Sequence, residues 1–250
     1  MFYCIIYVVI NLITETLQYV EIDQSNSNTA AIIVAGGSSQ RMKGINKLLC
    51  PILDIPVIAR TLMAYENCNS IGGIYVACRE SDIADIQNIC DKYGIIKLKA
   101  IVKGGNTRAQ SVKNAFDAVD QSFSYIAIAD GARPLTTPEI IDRVLDEAMR
   151  CGAALCAVPV TDTVKVADGN RFIESTPDRS RLWAAQTPQI FNREIYANAL
   201  SFGGDFTDDC ALVEAAGTRV KIVEGSPTNI KITVPTDIII AEALIKEAEK

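Results

Sequence analysis

The chain has 250 residues, 49% of them apolar and 22% charged, a composition that is typical of a globular domain and excludes a disordered or low-complexity chain. Its net charge of -6 excludes the broad basic face that nucleic acids and anionic membrane surfaces require. The chain contains no histidine, which excludes Ser-His hydrolases and zinc sites built on histidine.

The first 28 residues are predicted to be an N-terminal extension of the domain that follows. The segment MFYCIIYVVINLI is mostly apolar over 13 residues, whereas a membrane-spanning helix needs roughly 20. No lysine or arginine precedes Arg41, so the segment lacks the basic start of a signal peptide. We therefore expect no membrane span but a strand-like or helical extension on the surface, or an artefact of start-site choice. An interfacial anchor is the alternative.

Short β-branched runs alternate with amphipathic segments of helical length from residue 29 to residue 250. Strands are predicted at 31–35, 73–77, 96–102, 125–129, 153–159 and 218–224. Helices are predicted near 56–68, 81–93, 107–120, 137–150, 193–202, 207–216 and 236–248, with Thr137 and Thr207 as capping signals. This alternation predicts one α/β domain with a doubly wound, mainly parallel sheet.

One stretch breaks the alternation. Residues 161–175, TDTVKVADGNRFIES, contain two short extended pieces around an Asp-Gly-Asn turn, which predicts a β-hairpin. We expect an arm over about residues 160–181 that projects from the domain. Because a two-stranded arm is only marginally stable alone, a second subunit is the natural surface for it to lie against.

Residues suited to phosphate binding follow the first predicted strand. Gly36 and Gly37 leave backbone N–H groups accessible to a phosphate, since no Cβ stands in the way. Arg41 and Lys47 come soon afterwards and could both reach a triphosphate placed over this turn. The turn matches neither the dinucleotide-binding glycine motif nor the Walker A loop, and a plain tight turn flanked by solvated charges is the alternative.

Two later strands are also followed by residues that could bind a ligand. Gly104 and Gly105 open the predicted helix that carries Ser111, and Asp130 directly follows the strand at 125–129. In a chain without histidine, a carboxylate in this place is a suitable ligand for Mg²⁺, and a turn or N-cap aspartate is the alternative. Because ligands of doubly wound sheets bind beyond the carboxyl ends of the strands, we expect these residues to form one site.

The order of seven motifs is more specific than any one of them. They are AGGSSQRM, GGNTRAQSV, ADGARP, PVTDTVK, DRSRLWAAQTPQ, FTDD and NIKIT. Over residues 30–250 this succession resembles the family of 2-C-methyl-D-erythritol 4-phosphate cytidylyltransferases of the non-mevalonate isoprenoid pathway. The resemblance implies a Rossmann-like nucleotidyltransferase fold. It also implies conversion of CTP and 2-C-methyl-D-erythritol 4-phosphate to 4-diphosphocytidyl-2-C-methyl-D-erythritol and pyrophosphate, with Mg²⁺ or another divalent cation as cofactor.

The resemblance further implies roles for individual residues. The catalytic cations would be Arg41, Lys47 and Lys231, and the first two would stabilise charge on the α-phosphate. The nucleotide would be bound by Ala35, Gly36, Gly37, Gly105, Asn106, Ser111 and Asp130, and Asp130 would also hold the metal. The sugar-alcohol phosphate would be bound by Arg133, Thr163, Arg179, Thr187 and Lys231.

The assembly that the resemblance implies is a homodimer with arm-exchanged active sites. Thr163 and Arg179, on the arm, would reach the site of the neighbouring subunit. Two positions depart from the family pattern, because Asn106 and Thr228 stand where members often have an acidic residue. These departures bear on base recognition at Asn106 and on the surroundings of the metal at Thr228.

Other functions share part of this pattern. A ribitol 5-phosphate cytidylyltransferase has the same glycine and T-P-Q elements, although the run DRSRLW at 178–183 favours the methylerythritol enzyme. A dinucleotide-dependent oxidoreductase would need a third glycine and an acidic residue about 20 positions further on. A non-catalytic nucleotide-binding domain stays open, since its binding residues would overlap with the catalytic ones.

The cysteines indicate the cellular compartment. The chain has eight, mostly in apolar surroundings, and no C-x-x-C pair that would suggest a zinc ribbon or redox motif. Buried thiols of this kind are typical of reduced cytoplasmic proteins. We therefore expect a cytoplasmic protein.

Overall fold

Seven strands form the central sheet. They are β1 (Thr29–Ala35), β4 (Ile71–Cys78), β5 (Leu98–Lys103), β6 (Tyr125–Asp130), β7 (Ala153–Pro159), β10 (Trp183–Asn192) and β11 (Lys221–Glu224). The spatial order is β11-β7-β10-β6-β1-β4-β5. Strand β10 runs antiparallel to both of its neighbours and the other pairs are parallel, which confirms the predicted mainly parallel α/β sheet. The computed structural model describes residues 28–37, 46–204 and 206–248, so Arg41 and nearly all of the predicted extension lie outside the described residues.

Helices cover both faces of the sheet. Those in the described residues are α1 (Val57–Glu66), α2 (Ile83–Lys92), α3 (Arg108–Ala118), α4 (Pro138–Cys151), α5 (Arg193–Phe202), α6 (Asp209–Ala215) and α7 (Pro235–Ala248). Two further pairs of short strands are β2 (Pro51–Ile52) with β3 (Ile55–Pro56), and β8 (Val166–Ala167) with β9 (Ile173–Ser175). Within the described residues, no helix is both long and apolar enough to cross a bilayer.

The central strand β1 shows why a continuous apolar run forms here. Ala31 and Ile33 face a core formed mainly with α1, α2 and α4, whereas Ala30 and Ile32 face a second core formed with α3, α5 and α6. All four residues are fully buried. Because successive strand residues point to opposite faces, a strand covered on both sides must be apolar at every position.

Capping residues set the ends of two helices. The Thr137 side chain accepts a hydrogen bond from the Ile140 N–H at 3.4 Å, as the sequence predicted, and Gly152 ends α4 with a φ of 88°. The prediction of Thr207 as a cap is wrong. Asp208 caps α6, and its carboxylate accepts from the Ala211 N–H at 2.9 Å. A carboxylate at this position also interacts favourably with the helix dipole.

Strand β10 was not predicted from the sequence. Its middle contains Gln186, Thr187 and Pro188, which interrupt the alternation of apolar and polar residues. The ladder to β7 is irregular between Ala185 and Gln189, so these residues leave the regular pairing inside a strand that otherwise continues. This irregularity lies at the buried centre of the sheet, and it places Thr187 beside the end of β6.

The predicted hairpin arm is present. Strands β8 and β9 pair antiparallel around a turn in which the Asp168 carboxylate accepts from the N–H groups of Asn170 at 2.9 Å and Phe172 at 2.8 Å. Its side chains project into solvent, and Phe172 is 73% and Ile173 64% exposed. Val164 and Val166 on the same arm are exposed as well, and a group of exposed apolar side chains on one surface indicates a face made for contact.

Candidate active site

A cavity of about 310 Å³ opens at the carboxyl ends of β1, β5 and β6. All of the predicted nucleotide-binding residues line it, together with Lys47 and Lys231. The sheet topology brings them together, because the carboxyl ends of neighbouring parallel strands meet at one edge. The structure therefore places these residues around one cavity, and their binding roles stay a prediction.

The glycine wall of the cavity has open space beside its backbone. Among the described residues, a Cβ atom on Gly36 would come no closer than 3.6 Å to another side chain, and one on Gly37 would meet nothing within 4 Å. Packing against this part of the chain therefore does not require glycine at these two positions. Because glycine has no side chain, a ligand can reach the backbone at these positions.

A serine fixes the opposite wall. The Ser111 hydroxyl accepts a hydrogen bond from the Gly105 N–H at 3.1 Å and donates one to the Thr107 carbonyl at 2.9 Å. A Cβ on Gly104 would lie 2.9 Å from the same hydroxyl oxygen, which is closer than real Cβ contacts. Gly104 is therefore needed for the loop to pack against the start of α3.

Asp130 is a buried carboxylate held by two cations. Lys231 Nζ lies 3.0 Å and Arg133 Nε 3.3 Å from its Oδ2, and its N–H donates to the Thr187 hydroxyl at 3.1 Å. Burial alone would raise the pKa of Asp130, but the charges of Lys231 and Arg133 outweigh it and hold the pKa below its ordinary value. The carboxyl is therefore ionised at neutral pH.

Lys47 lies on the same side of the cavity as this ion pair. Its Nζ donates to the Ile232 carbonyl at 2.7 Å, next to Lys231 in the chain. The turn that carries Lys47 is fixed by Asn46, whose side chain accepts from the Leu48 N–H and donates to the buried carboxylate of Asp82, both at 3.2 Å. Lys47 and Lys231 thus place two ammonium groups at one end of the cavity.

Besides Lys231, two predicted substrate residues adjoin this end of the cavity and two do not. Arg133 and Thr187 are buried and contact Asp130 directly. Thr163 and Arg179 are exposed on the arm and do not line the cavity, and Arg179 Nη1 donates to the Thr161 carbonyl at 2.6 Å. A role for these two residues in the site of a neighbouring subunit stays a prediction.

The cavity offers a divalent cation one carboxylate. Asp130 is the single acidic residue lining the cavity in the part of the chain that the structure describes. No group of three or more acidic, cysteine or histidine side chains able to hold a metal occurs in those residues. One carboxylate does not make a protein cage, but it fits Mg²⁺, which keeps several waters and binds through one or two carboxylates and the phosphates of a nucleotide.

One cation of the cavity was missed by the sequence reasoning. Arg108, at the start of α3, lines the cavity, and its Nη1 lies 2.5 Å from the buried carboxylate of Asp209. The other oxygen of Asp209 accepts from the Tyr196 hydroxyl at 2.7 Å. Both Arg108 and Asp209 belong to motifs quoted above, GGNTRAQSV and FTDD, but they are 101 residues apart and no sequence signal joined them.

Known proteins resemble this chain over nearly the whole domain. The family model for IspD, 2-C-methyl-D-erythritol 4-phosphate cytidylyltransferase, matches residues 29–247. Two bacterial proteins of that name, from Caldanaerobacter subterraneus subsp. tengcongensis and Syntrophus aciditrophicus, are 43% and 42% identical to the chain. Each match covers 88% of this chain, and the matches cover 100% and 96% of the two proteins respectively.

The fold also resembles solved structures of this family. The crystal structure of the 4-diphosphocytidyl-2C-methyl-D-erythritol synthase from Anaerococcus prevotii superposes with a TM-score of 0.77 at 30% identity, covering 88% of this chain and 100% of that one. The Thermus thermophilus 2-C-methyl-D-erythritol 4-phosphate cytidylyltransferase superposes with a TM-score of 0.70 at 27% identity, covering 87% and 98%.

Proposed function

The chain belongs to the IspD family of 2-C-methyl-D-erythritol 4-phosphate cytidylyltransferases, and from this premise we propose the chemistry that its pocket performs. It is a nucleotidyltransferase of isoprenoid precursor synthesis. The enzyme joins CTP to 2-C-methyl-D-erythritol 4-phosphate, giving 4-diphosphocytidyl-2-C-methyl-D-erythritol and pyrophosphate. The observation that carries the proposal is the ionised Asp130, paired with Lys231 and Arg133 beside a glycine-walled cavity.

The reaction needs no protein base. The phosphate of the sugar alcohol is already ionised at neutral pH, so its oxygen can attack the α-phosphorus of CTP in line. This agrees with a chain that contains no histidine. The protein then has to supply position and charge neutralisation, the two contributions that dominate nucleotidyl transfer.

The described residues divide these tasks between the two ends of the cavity. Gly36, Gly105 and Ser111 would hold the cytosine, since their backbone and hydroxyl groups form the opposed walls. Lys47 would neutralise charge that builds on the α-phosphate during transfer. Arg41, which lies outside the described residues, is proposed to do the same.

The end of the cavity around Asp130 would bind the second substrate. Arg133, Thr187 and Lys231 adjoin Asp130, and the two cations match a phosphate in charge. Asp130 would hold the divalent cation, which supplies positive charge to the phosphates when bound. The Lys231 side chain is 43% exposed, so it can turn from Asp130 toward a substrate phosphate without leaving a buried position.

Pyrophosphate release tests the function directly. We expect the protein to release pyrophosphate from CTP in the presence of Mg²⁺ and 2-C-methyl-D-erythritol 4-phosphate, with kcat/KM about tenfold or more above that for ribitol 5-phosphate. A preference for ribitol 5-phosphate would identify a pentitol-phosphate enzyme instead. Binding of CTP without pyrophosphate release would identify a non-catalytic nucleotide-binding domain.

We further propose a homodimer in which the arm of one subunit completes the site of the other. Three observations support it: the arm leaves the body of the domain, it exposes Phe172 and Ile173, and it carries Thr163 and Arg179 away from their own cavity. The Arg179 guanidinium already has one bond to the Thr161 carbonyl, which orients it along the arm. Its remaining donors would meet the phosphate of the partner's substrate.

Replacing Arg179 with alanine tests this arrangement. We expect KM for 2-C-methyl-D-erythritol 4-phosphate to rise about tenfold or more while KM for CTP changes little, because a charge-assisted contact to one substrate is lost. Arg150→Ala is the matched control, since Arg150 is an exposed arginine on α4 that pairs with Glu147. A variant that is monomeric by sedimentation but fully active would contradict the shared site.

We propose the cytoplasm as the compartment. The cysteines of the described residues are free thiols, and Cys68, Cys78 and Cys90 are buried. Burial raises the pKa of Cys68 to about 12 and those of Cys78 and Cys90 to about 11. Thiols in this state are unreactive. The free state of the cysteines in the part of the chain that the structure describes supports a reducing environment.

A further inference from the structure

Asn229 is a fully buried amide in a partly exposed loop. The loop connects β11 to α7, and its neighbours Thr228 and Lys231 are exposed, whereas Asn229 has 0% exposure. Thr228 pairs outward, with its hydroxyl 2.7 Å from that of Ser226. A polar side chain is rarely buried in a loop unless its hydrogen bonds are satisfied there.

The hydrogen bonds of Asn229 join two other segments to this loop. Its Nδ2 donates to the Thr187 carbonyl at 3.0 Å, and its Oδ1 accepts from the Thr136 hydroxyl at 3.0 Å. Its main-chain carbonyl accepts from Arg133 Nη1 at 2.6 Å. One residue thus links β10, the loop after β6 and the loop before α7.

Each of these segments carries a residue proposed to bind the sugar-alcohol phosphate. Thr187 lies on β10, Arg133 lies in the loop after β6, and Lys231 lies two residues beyond Asn229. The main chain around Lys231 is fixed as well, because the Ile232 N–H donates to the Ala132 carbonyl at 2.8 Å. The distances among the three substrate residues therefore depend on the bonds that Asn229 makes.

We propose that Asn229 is a positioning residue that sets the arrangement of Arg133, Thr187 and Lys231 around Asp130, and so tunes the affinity for the second substrate. The inference rests on the proposed function. The Asn229 amide donates to the Thr187 carbonyl and accepts from the Thr136 hydroxyl at the same time. A carboxylate at this position loses the donor, and an alkyl side chain loses both bonds.

The hydrogen bonds of Asn229 stabilise only the end of the cavity around Asp130, within the described residues. The polar contacts of Asn229 within the described residues involve Thr136, Arg133, Cys156, Gln186, Thr187 and Ser226. The glycine wall and Ser111 are not among these residues. Loss of the Asn229 amide should therefore disturb binding of the sugar-alcohol phosphate and leave the nucleotide end in place.

The test measures both substrates of the full-length enzyme by pyrophosphate release. For Asn229→Asp we expect KM for 2-C-methyl-D-erythritol 4-phosphate to rise roughly tenfold or more, with kcat reduced and KM for CTP within about twofold. Thr136→Val removes the hydrogen bond to the Asn229 side chain, and with it a bond from the same hydroxyl to the Arg133 carbonyl at 3.2 Å, but keeps the bond from Asn229 to Thr187. It should shift the same KM by about threefold to tenfold. It is the milder variant should Asn229→Asp fold poorly.

Asp142→Ala is the control for a purely structural effect. Asp142, on α4, accepts hydrogen bonds from Ser70 at 2.6 Å and Cys68 at 3.3 Å, just before β4 begins. This contact lies at the amino edge of β4, opposite the cavity, so the variant should lose thermal stability without a change in either KM. Comparing Asp142→Ala with the Asn229 and Thr136 variants distinguishes a loss of stability from a change in the position of the substrate-binding residues.

Three outcomes would overturn the inference. The first is an unchanged KM for both substrates in Asn229→Asp and Thr136→Val, and the second is an equal rise in both values of KM. In either case an active wild-type enzyme leaves the proposed function standing. The third is a wild-type protein that releases no pyrophosphate with 2-C-methyl-D-erythritol 4-phosphate, which would overturn the proposed function together with this inference.

Discussion

Replacing Lys47 with alanine is expected to lower kcat by about 10² or more, the effect of losing one charge partner of a transition state. The Lys47 ammonium lies at the mouth of the cavity, 2.7 Å from the Ile232 carbonyl, and adjoins the end where Asp130 is paired with Lys231. A fixed positive charge here costs no reorganisation when negative charge builds on the transferring phosphate. The loss should therefore appear mainly in kcat rather than in KM for CTP.

The fold should tolerate this substitution. Lys47 lies in a surface turn whose conformation is set by Asn46 and the buried Asp82, and these contacts remain in the variant. Lys113→Ala is the matched control, because Lys113 is an exposed lysine of α3 that pairs with Asp117 four residues away. Such surface pairs contribute little to stability. Nearly full turnover in Lys47→Ala, with CTP saturating, would contradict the assigned role.

The sequence predicted the sheet well because burial on two faces imposes a simple rule. A central parallel strand such as β1 must be apolar at every position, so AIIVA is recognisable without any tertiary information. Strand β10 does not follow this rule. It contains Gln186, Thr187 and Pro188 in the middle of the sheet, where hydrogen bonds to the site replace the regular ladder.

The candidate site was predictable as far as it follows from topology. Gly36, Gly105 and Asp130 each follow a predicted strand, and parallel strands bring their carboxyl ends to one edge. The pairing of Arg108 with Asp209 spans 101 residues, and the contact of Asn229 with Thr136 spans 93. A single sequence contains no periodicity or spacing that joins residues so far apart. These buried partners become visible only when the chain is folded.

Asp130→Asn is the second substitution with a large expected effect. The variant keeps the shape of the side chain but removes the charge that holds Lys231 at 3.0 Å and Arg133 at 3.3 Å. Two cations are then left facing each other around a neutral amide, and a carboxylate ligand for Mg²⁺ is lost. We expect kcat to fall by about 10² or more, and half-saturation by Mg²⁺ to require roughly tenfold more of the cation.

The magnesium titration distinguishes this role from a structural one. Asp142→Asn is the control, because it removes a carboxylate at the opposite edge of the sheet, where Asp142 contacts Ser70 and Cys68. This variant should need the same Mg²⁺ concentration for half-saturation as the wild-type enzyme. A weaker ion pair alone would lower the melting temperature of Asp130→Asn without moving the Mg²⁺ requirement. Because Lys231 is 43% exposed, it can move away from the neutral amide, so the stability loss should be smaller than for a fully buried pair. An unshifted Mg²⁺ requirement in an active variant would show that Asp130 orients Lys231 and Arg133 without binding the metal.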